Sequence, residues 1–176
     1  MDRTILEGIQ NRQCVYRFDS TPLNKNVIQT ILDAGRWAPS WLNRQPWRFL
    51  VITESKLKKQ IMKVAPSIFH EGITEAPATI AILVNVIDDP FHYIEAGAVA
   101  TQNMALAAYA LGLGSCWIGV FNLRGARRST EERIKKTLKI PKEYRLIALL
   151  PIGKPRTIDQ KRTRKDLAEI TSFNQF

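Results

Sequence analysis

Histidine and cysteine are scarce in this chain, two of each in 176 residues. His70 and His92 leave little for a metal centre, and Cys14 and Cys116 fit neither a CxxC pair nor a disulfide framework. A reducing, cytoplasmic setting is the expectation that follows. No apolar run has the length of a membrane-spanning helix, and no signal-peptide core follows Asp2 and Arg3. A membrane partner is therefore not expected. The GxxxxGKS/T phosphate loop, the GxSxG elbow and HExxH are all missing. Gly112-Leu113-Gly114 follows a helical pattern rather than a strand, which excludes a dinucleotide fingerprint. With no recognisable nucleophile–base pair, hydrolytic chemistry has few candidates. A protein with little acid–base equipment suits a cofactor that carries the reaction itself.

Lysine and arginine are absent from residues 64–123, which carry five acids. The formal charge of +10 comes instead from residues 124–165, where 15 basic and 4 acidic side chains lie. Such a patch attracts a phosphorylated cofactor, nucleic acid or an anionic surface, and a simply solvated basic face fits it equally. Only Tyr144 interrupts it with an aromatic ring, so base stacking has little support and nucleic acid is not the expected partner.

What is present suffices for one domain with a sizeable core, at 45% hydrophobic and 24% charged residues. Thr4 and Glu7 read as a capping box opening a short helix to about Asn11. Residues 12–18 follow in extended or irregular form. A second helix starts near Asn24, with Val27, Ile28, Ile31 and Leu32 at helical spacing. Phe49–Ile52 and Thr79–Val86 are buried-strand candidates. Ser55 is placed to cap a helix with Leu57, Ile61 and Val64 inward, and residues 66–77 favour no single element and read as flexible.

Tyr93 to Leu111 predicts the longest helix. Its small residues permit close approach on several faces, so it is expected to be central. Ser129 and Glu132 read as a further capping box, and Tyr144–Ile152 alternates weakly as a third strand. Helices and strands interleave without a regular βαβ rhythm, which predicts an α+β layered domain over residues 1–176. The tail from about 154 to 176 has few apolar residues to pack alone, so it is expected to lie across a partner subunit.

One stretch stands apart. Between Trp37 and Trp47 lie two prolines, three indoles, Ser40, Asn43, Arg44 and Gln45. The prolines forbid a continuous helix or central strand. A flat, partly polar ligand would let the indoles pack while the hydroxyl and amides hydrogen-bond. An aromatic-rich structural loop is the plainer alternative.

Four segments in order carry a resemblance. Ala38-Pro39-Ser40-Trp41-Leu42-Asn43-Arg44-Gln45-Pro46-Trp47 resembles the "APSxxNxQPW" stretch of the nitroreductase family of FMN-dependent oxidoreductases. Arg12 to Phe18 is similar to its "RRSxRxF" segment. Glu95–Asn103 through Gly112–Gly119 resembles its "DxGaaxQNxxLaAxxlGLGsxWiG" core. Lys161 to Leu167 is similar to its closing "RKPLxE".

The resemblance implies a layered fold with a central, mostly antiparallel sheet, in a homodimer with FMN at the subunit interface. It implies hydride transfer from NADH or NADPH through flavin N5 to a nitroaromatic, quinone or similar electrophile in a ping-pong cycle. Catalytic side chains are not required, since FMN carries the chemistry. Arg12 and Arg164 would hold the FMN phosphate, with Lys161 and Arg162 as further candidates. Pro39, Ser40, Asn43 and Gln45 would approach the flavin from the partner subunit. Trp41 would wall the substrate pocket, with a core or interface aromatic as the other reading. Ile118 and Gly119 match the loop whose backbone amide reaches N5.

Gln13 and Cys14 depart from the family's arginine and serine in the phosphate cradle, and Cys14 reads equally as a structural thiol. Tyr16 replaces a frequent basic residue near the pyrimidine, which should disfavour anionic reduced flavin and lower its potential. Two alternatives remain: a specialised flavoprotein of the same fold, such as a reductive dehalogenase or flavin-fragmenting oxygenase, or a basic nucleic-acid or anion-binding module.

Overall fold

Two strands with apolar residues on both faces form the middle of the molecule. The structure, a computed structural model, describes residues 5–68, 71–120, 126–158 and 162–176, except the side chains of residues 67 and 126–129. Strand β2 (Ala78–Asn85) pairs antiparallel with β1 (Trp47–Ile52) on one side and β5 (Tyr144–Gly153) on the other. The short strands β3 (Gly114–Ser115) and β4 (Ile118–Gly119) pair antiparallel with the far side of β5. The domain is α+β, and its sheet is antiparallel in every named pairing.

Period-two alternation explains how one strand serves two cores. Ile80, Ile82 and Val84 of β2 pack with Ile31, Met104 and Ala108 from helices α2 (Lys25–Arg36) and α5 (Tyr93–Ala110). Ala81 and Leu83 point the other way, toward Ile61 of α3 (Ser55–Val64) and Ile134 of α6 (Ala126–Leu138). In β5 the register with β2 shifts between Ile82 and Leu83, opposite Ala148 and Leu146. Ile147 is the extra residue of this bulge. Both Ile147 and Ala148 therefore join the α5 core, which accounts for the weak alternation of this strand in the sequence.

Helix α5 is central as expected. A Cβ on Gly97 would stand 2.6 Å from Ile147 Cγ1 and 3.0 Å from Val84 Cγ2. Only glycine lets the helix lie this close to the sheet. Asn103 Nδ2 donates to the Ala34 carbonyl (3.2 Å) and ties α5 to α2. On the opposite face, buried Glu131 of α6 accepts two 2.8 Å bonds from Arg145 and one from the Leu146 backbone. Part of the basic segment is thus consumed internally: Lys135 Nζ donates to the Tyr144 carbonyl.

Several element boundaries differ from expectation. Ser55 is the first residue of α3, while Glu54 occupies the N-cap without a side-chain bond. Ser129 lies inside α6, because the helix begins at Ala126 and runs through good helix formers before reaching it. Residues 66–77 contain a 3-10 turn (Pro66–Ile68) and the short helix α4 (Gly72–Glu75). Helix α1 spans Ile5–Asn11, and its Thr4 cap lies outside the described residues. Helix α2 starts beside Asn24 as expected, and Asn24 caps it, its side chain accepting from the Asn26 N–H (2.8 Å). Among the described residues no helix is long and apolar enough to cross a membrane.

Candidate functional site

Backbone pairing brings three segments distant in sequence to one place. The Val15 N–H donates to the Ser115 carbonyl (2.9 Å), and Cys14 bridges Ser115 in parallel. Asp19 N–H donates to Lys154 (2.8 Å), Arg156 N–H donates to Arg17 (3.0 Å), and Phe18 bridges Pro155. Residues 12–19 are thereby fixed between β3 and the chain leaving β5. Between them opens a cavity of about 770 Å³ lined by Arg12, Gln13, Val15, Tyr109, the 112–115 turn, Arg162 and Arg164.

Among the described residues three guanidiniums line this cavity and no carboxylate does. Arg12 Nε is buried without a hydrogen-bond partner among the described residues. A buried donor of this kind has lost its water and gains most from an anion supplied by a ligand. Gly114 is required by shape, since a Cβ there would lie 2.5 Å from Val15 Cγ2. Any side chain there would clash with Val15, itself a lining residue of the cavity.

Cys14 turns away from this opening. It packs against the α3–α6 core beside the buried Cys116, whose Sγ donates to the Trp117 carbonyl (4.0 Å). The neighbouring Cys116 thiol lowers the Cys14 pKa to about 5; burial opposes the shift, and Trp117, Arg12 and Arg162 assist it. The Cys14 thiol, together with burial, pushes the Cys116 thiol up.

The Trp37–Trp47 stretch lies elsewhere and contributes no side chain to the cavity. It forms a 3-10 turn at Trp41–Asn43, with Leu42, Asn43 and Gln45 at φ 47, 55 and 50. Asparagine tolerates this left-handed backbone, whereas the other two store on the order of 1–2 kcal/mol each. Ser40 offsets part of that strain by accepting the Gln45 N–H on its Oγ (2.9 Å). Trp41 packs against Phe91 and His92 at ring distances of 6.2 and 5.3 Å, under the Arg44 guanidinium. Buried Asp89 anchors that neighbouring turn by accepting the Phe91 and His92 N–H groups.

The profile of the nitroreductase family matches residues 9–74 and 66–154. The chain belongs to this family. A Methanothermobacter thermautotrophicus protein, provisionally named an NADH dehydrogenase/NAD(P)H nitroreductase, is 28% identical over 86% of this chain and 77% of its own. An iodotyrosine deiodinase of Thermotoga neapolitana is 27% identical over 95% and 96%. The solved FMN-dependent nitroreductase of Clostridium difficile R20291 covers 97% of this chain and 99% of its own. Its TM-score is 0.86 at 24% identity, a likeness of fold.

Within this nitroreductase-family chain, Arg12, Gln13, Arg162 and Arg164 converge on one cavity. Lys161 lies outside the described residues. Tyr16 is 46% exposed and is not among the cavity-lining residues. Ile118 buries its side chain in the α3–α6 core, so only its backbone is available to a ligand; Gly119 beside it is exposed. Pro39, Ser40, Trp41, Asn43 and Gln45 gather as the second cluster. Trp47 packs into the core with Ala96 and Ala100.

Sequence reasoning missed Tyr109, Gly114 and Ser115 as cavity residues, although the 112–115 turn was part of a recognised motif. The available signal was two glycines flanking one residue just past a long helix, which marks a close backbone approach.

Proposed function

We propose that this chain is an FMN-dependent oxidoreductase that draws electrons from NADH or NADPH and reduces a small electrophile such as a nitroaromatic or quinone. The observation that carries this reading is a cavity lined by three arginines with, among the described residues, no carboxylate and no partner for the buried Arg12 Nε. That donor set fits a phosphate monoester: Arg12, Arg162 and Arg164 would bind its oxygens, and Gln13 would add an amide donor. When bound, FMN supplies the two-electron chemistry between nicotinamide and acceptor. The protein's part is to hold, orient and shield it. Beyond the cradle, β3 and β4 line the same edge of β5, at Gly153–Ile152 and Leu149–Ala148. The backbone at Ile118–Gly119 would therefore continue the binding edge from phosphate toward ring.

The proposal includes a homodimer. Ile5, Leu6 and Ile9 on α1, with Leu167, Ile170, Phe173 and Phe176 in the tail, are exposed apolar residues on elements with little to pack against. A second copy would cover them and bring its Trp37–Trp47 loop to this chain's cavity. The nucleic-acid reading loses ground, because Arg145 and Lys135 bond internally while Arg162 and Arg164 face the cavity.

Colour is the deciding test. A yellow dimer releasing about one FMN per chain, bleached anaerobically by NADH or NADPH, is the expected result. A colourless protein that FMN cannot reconstitute overturns the reading. The likeness to iodotyrosine deiodinase favours one second acceptor class, an ortho-halogenated phenol. Halide release from such a phenol, with no turnover of quinones or nitroaromatics, would select it.

A further inference from the structure

We propose that Cys14 and Cys116, the chain's two cysteines, form a reversible thiol–disulfide site beside the phosphate cradle, oxidised by hydroperoxides. The two cysteines lie together although they are 102 positions apart in the sequence: Cys14 packs against the core cluster that holds Cys116 and bridges Ser115, the residue before it. Backbone contacts hold them there: Cys14 bridges Ser115, Val15 N–H bonds the Ser115 carbonyl, and Cys116 N–H donates to Pro151 of β5 (3.3 Å). Both are free in this structure.

The two sulfurs differ as an attacking and a resolving thiol must. Cys14 is partly exposed and lies in the field of Arg12 and Arg162, the setting in which a thiolate is nucleophilic at neutral pH. Cys116 is 3% exposed and protonated, so an oxidant reaches it only through Cys14. In the first step the Cys14 thiolate attacks the hydroperoxide. Its sulfur gains one oxygen, the O–O bond breaks, and the alcohol or water leaves with a proton. In the second, Cys116 sulfur attacks that sulfenic sulfur, the S–S bond forms and water departs. Two thiols lose two electrons and one hydroperoxide gains them. A dithiol reductant reverses the sequence.

The link would join the residue two positions after Arg12 to the loop ahead of Gly119, so oxidation would stiffen the cradle's frame. This inference is independent of FMN, because it concerns the side of residues 12–15 that faces away from the cavity.

The test uses the full chain as purified, reduced and desalted, then exposed to an equimolar amount of hydrogen peroxide. After denaturation, Ellman's reagent should find the two thiols lost, with an intact mass lower by about 2 Da and a single-chain band on a non-reducing gel. Dithiothreitol should restore both thiols. Cys116→Ser should stop at a sulfenic acid on Cys14 that dimedone traps, and Cys14→Ser should leave Cys116 unreacted under native conditions. Retention of both thiols, mass gain by oxygen addition without a disulfide, or a disulfide between chains would each overturn the proposal.

Discussion

The cavity beside Arg12 and the loop from Trp37 to Trp47 differ in how they are held. The first is framed by backbone hydrogen bonds between remote segments, and its charged donors line the cavity. The second is held by its own short-range bonds, the contacts of Trp41 with Phe91 and His92 and the core packing of Trp47, with strained backbone and two indoles facing out. Trp37 and Trp41 are 72% and 38% exposed, as no solvated turn would require. A region built for a ligand carries its partners' complement within the chain. A region built for a second surface presents apolar area and waits for cover. On the proposed reading they are two halves of one site, supplied by different copies.

Variants that separate those halves sharpen the comparison. Arg12→Ala should weaken FMN retention by about 10- to 100-fold, the loss of one charge-assisted bond of roughly 1.5–3 kcal/mol. Fluorescence titration with FMN measures it, and Arg156→Ala, outside the cavity lining, should retain FMN. Equal losses in the two variants would break the distinction between cradle and surface. Gly114→Ala should cost about 1–3 kcal/mol of folding stability, because its Cβ meets Val15 within a packed frame. Denaturant unfolding would show it as a shifted midpoint with an unchanged slope.

A smaller effect is expected of Tyr16→Lys. It should raise the flavin's reduction potential by on the order of 30 mV, equivalent to about 1.4 kcal/mol for two electrons. Potentiometric titration that finds no rise would disconnect Tyr16 from the ring. On the loop side, Ser40→Ala removes the acceptor of the Gln45 N–H and should cost about 1 kcal/mol in stability. If the loop serves a partner's site, the same change should raise the KM for acceptor while leaving FMN retention within about twofold.

The mildest probe reads the frame itself. Alkylation of Cys14 should reach half its maximal rate near pH 5, and Cys116→Ser should move that midpoint up toward an ordinary thiol value. A thiolate with a depressed pKa contributes stability above its unfolded value. That contribution declines as pH falls from the ordinary thiol range through about 5, because the unfolded chain takes up the proton first.

Much of the fold was legible because its determinants are local. Val27, Ile28, Ile31 and Leu32 declare a helical face, and Thr79 to Val86 is apolar enough to name a strand buried twice, found at Ala78–Asn85. Where the sequence misled, a non-local cause intervened. The bulge at Ile147 blurred the alternation of β5, and its position depends on pairing with β2. Ser129 looked like a cap because nothing local says that α6 starts three residues earlier. At the site, Arg12, Gln13, Arg162 and Arg164 were readable as chemistry, yet their convergence depends on backbone bonds of long sequence separation. Cys14 shows the limit most plainly. Its neighbouring thiol lies 102 positions onward, and no spacing rule anticipates that.

The bonds from Asp19 to Lys154 and from Arg156 to Arg17 also set a schedule. Arg12 is made well over a hundred residues before Arg156. At translation rates of about 5–20 residues per second, that interval is roughly 7–30 s. Through it the N-terminal segment lacks these mates, so the growing polypeptide cannot yet close the cavity. Capture of the proposed ligand would therefore wait for that later segment, and release before it would yield a product that holds the strands' sequence but not the cavity.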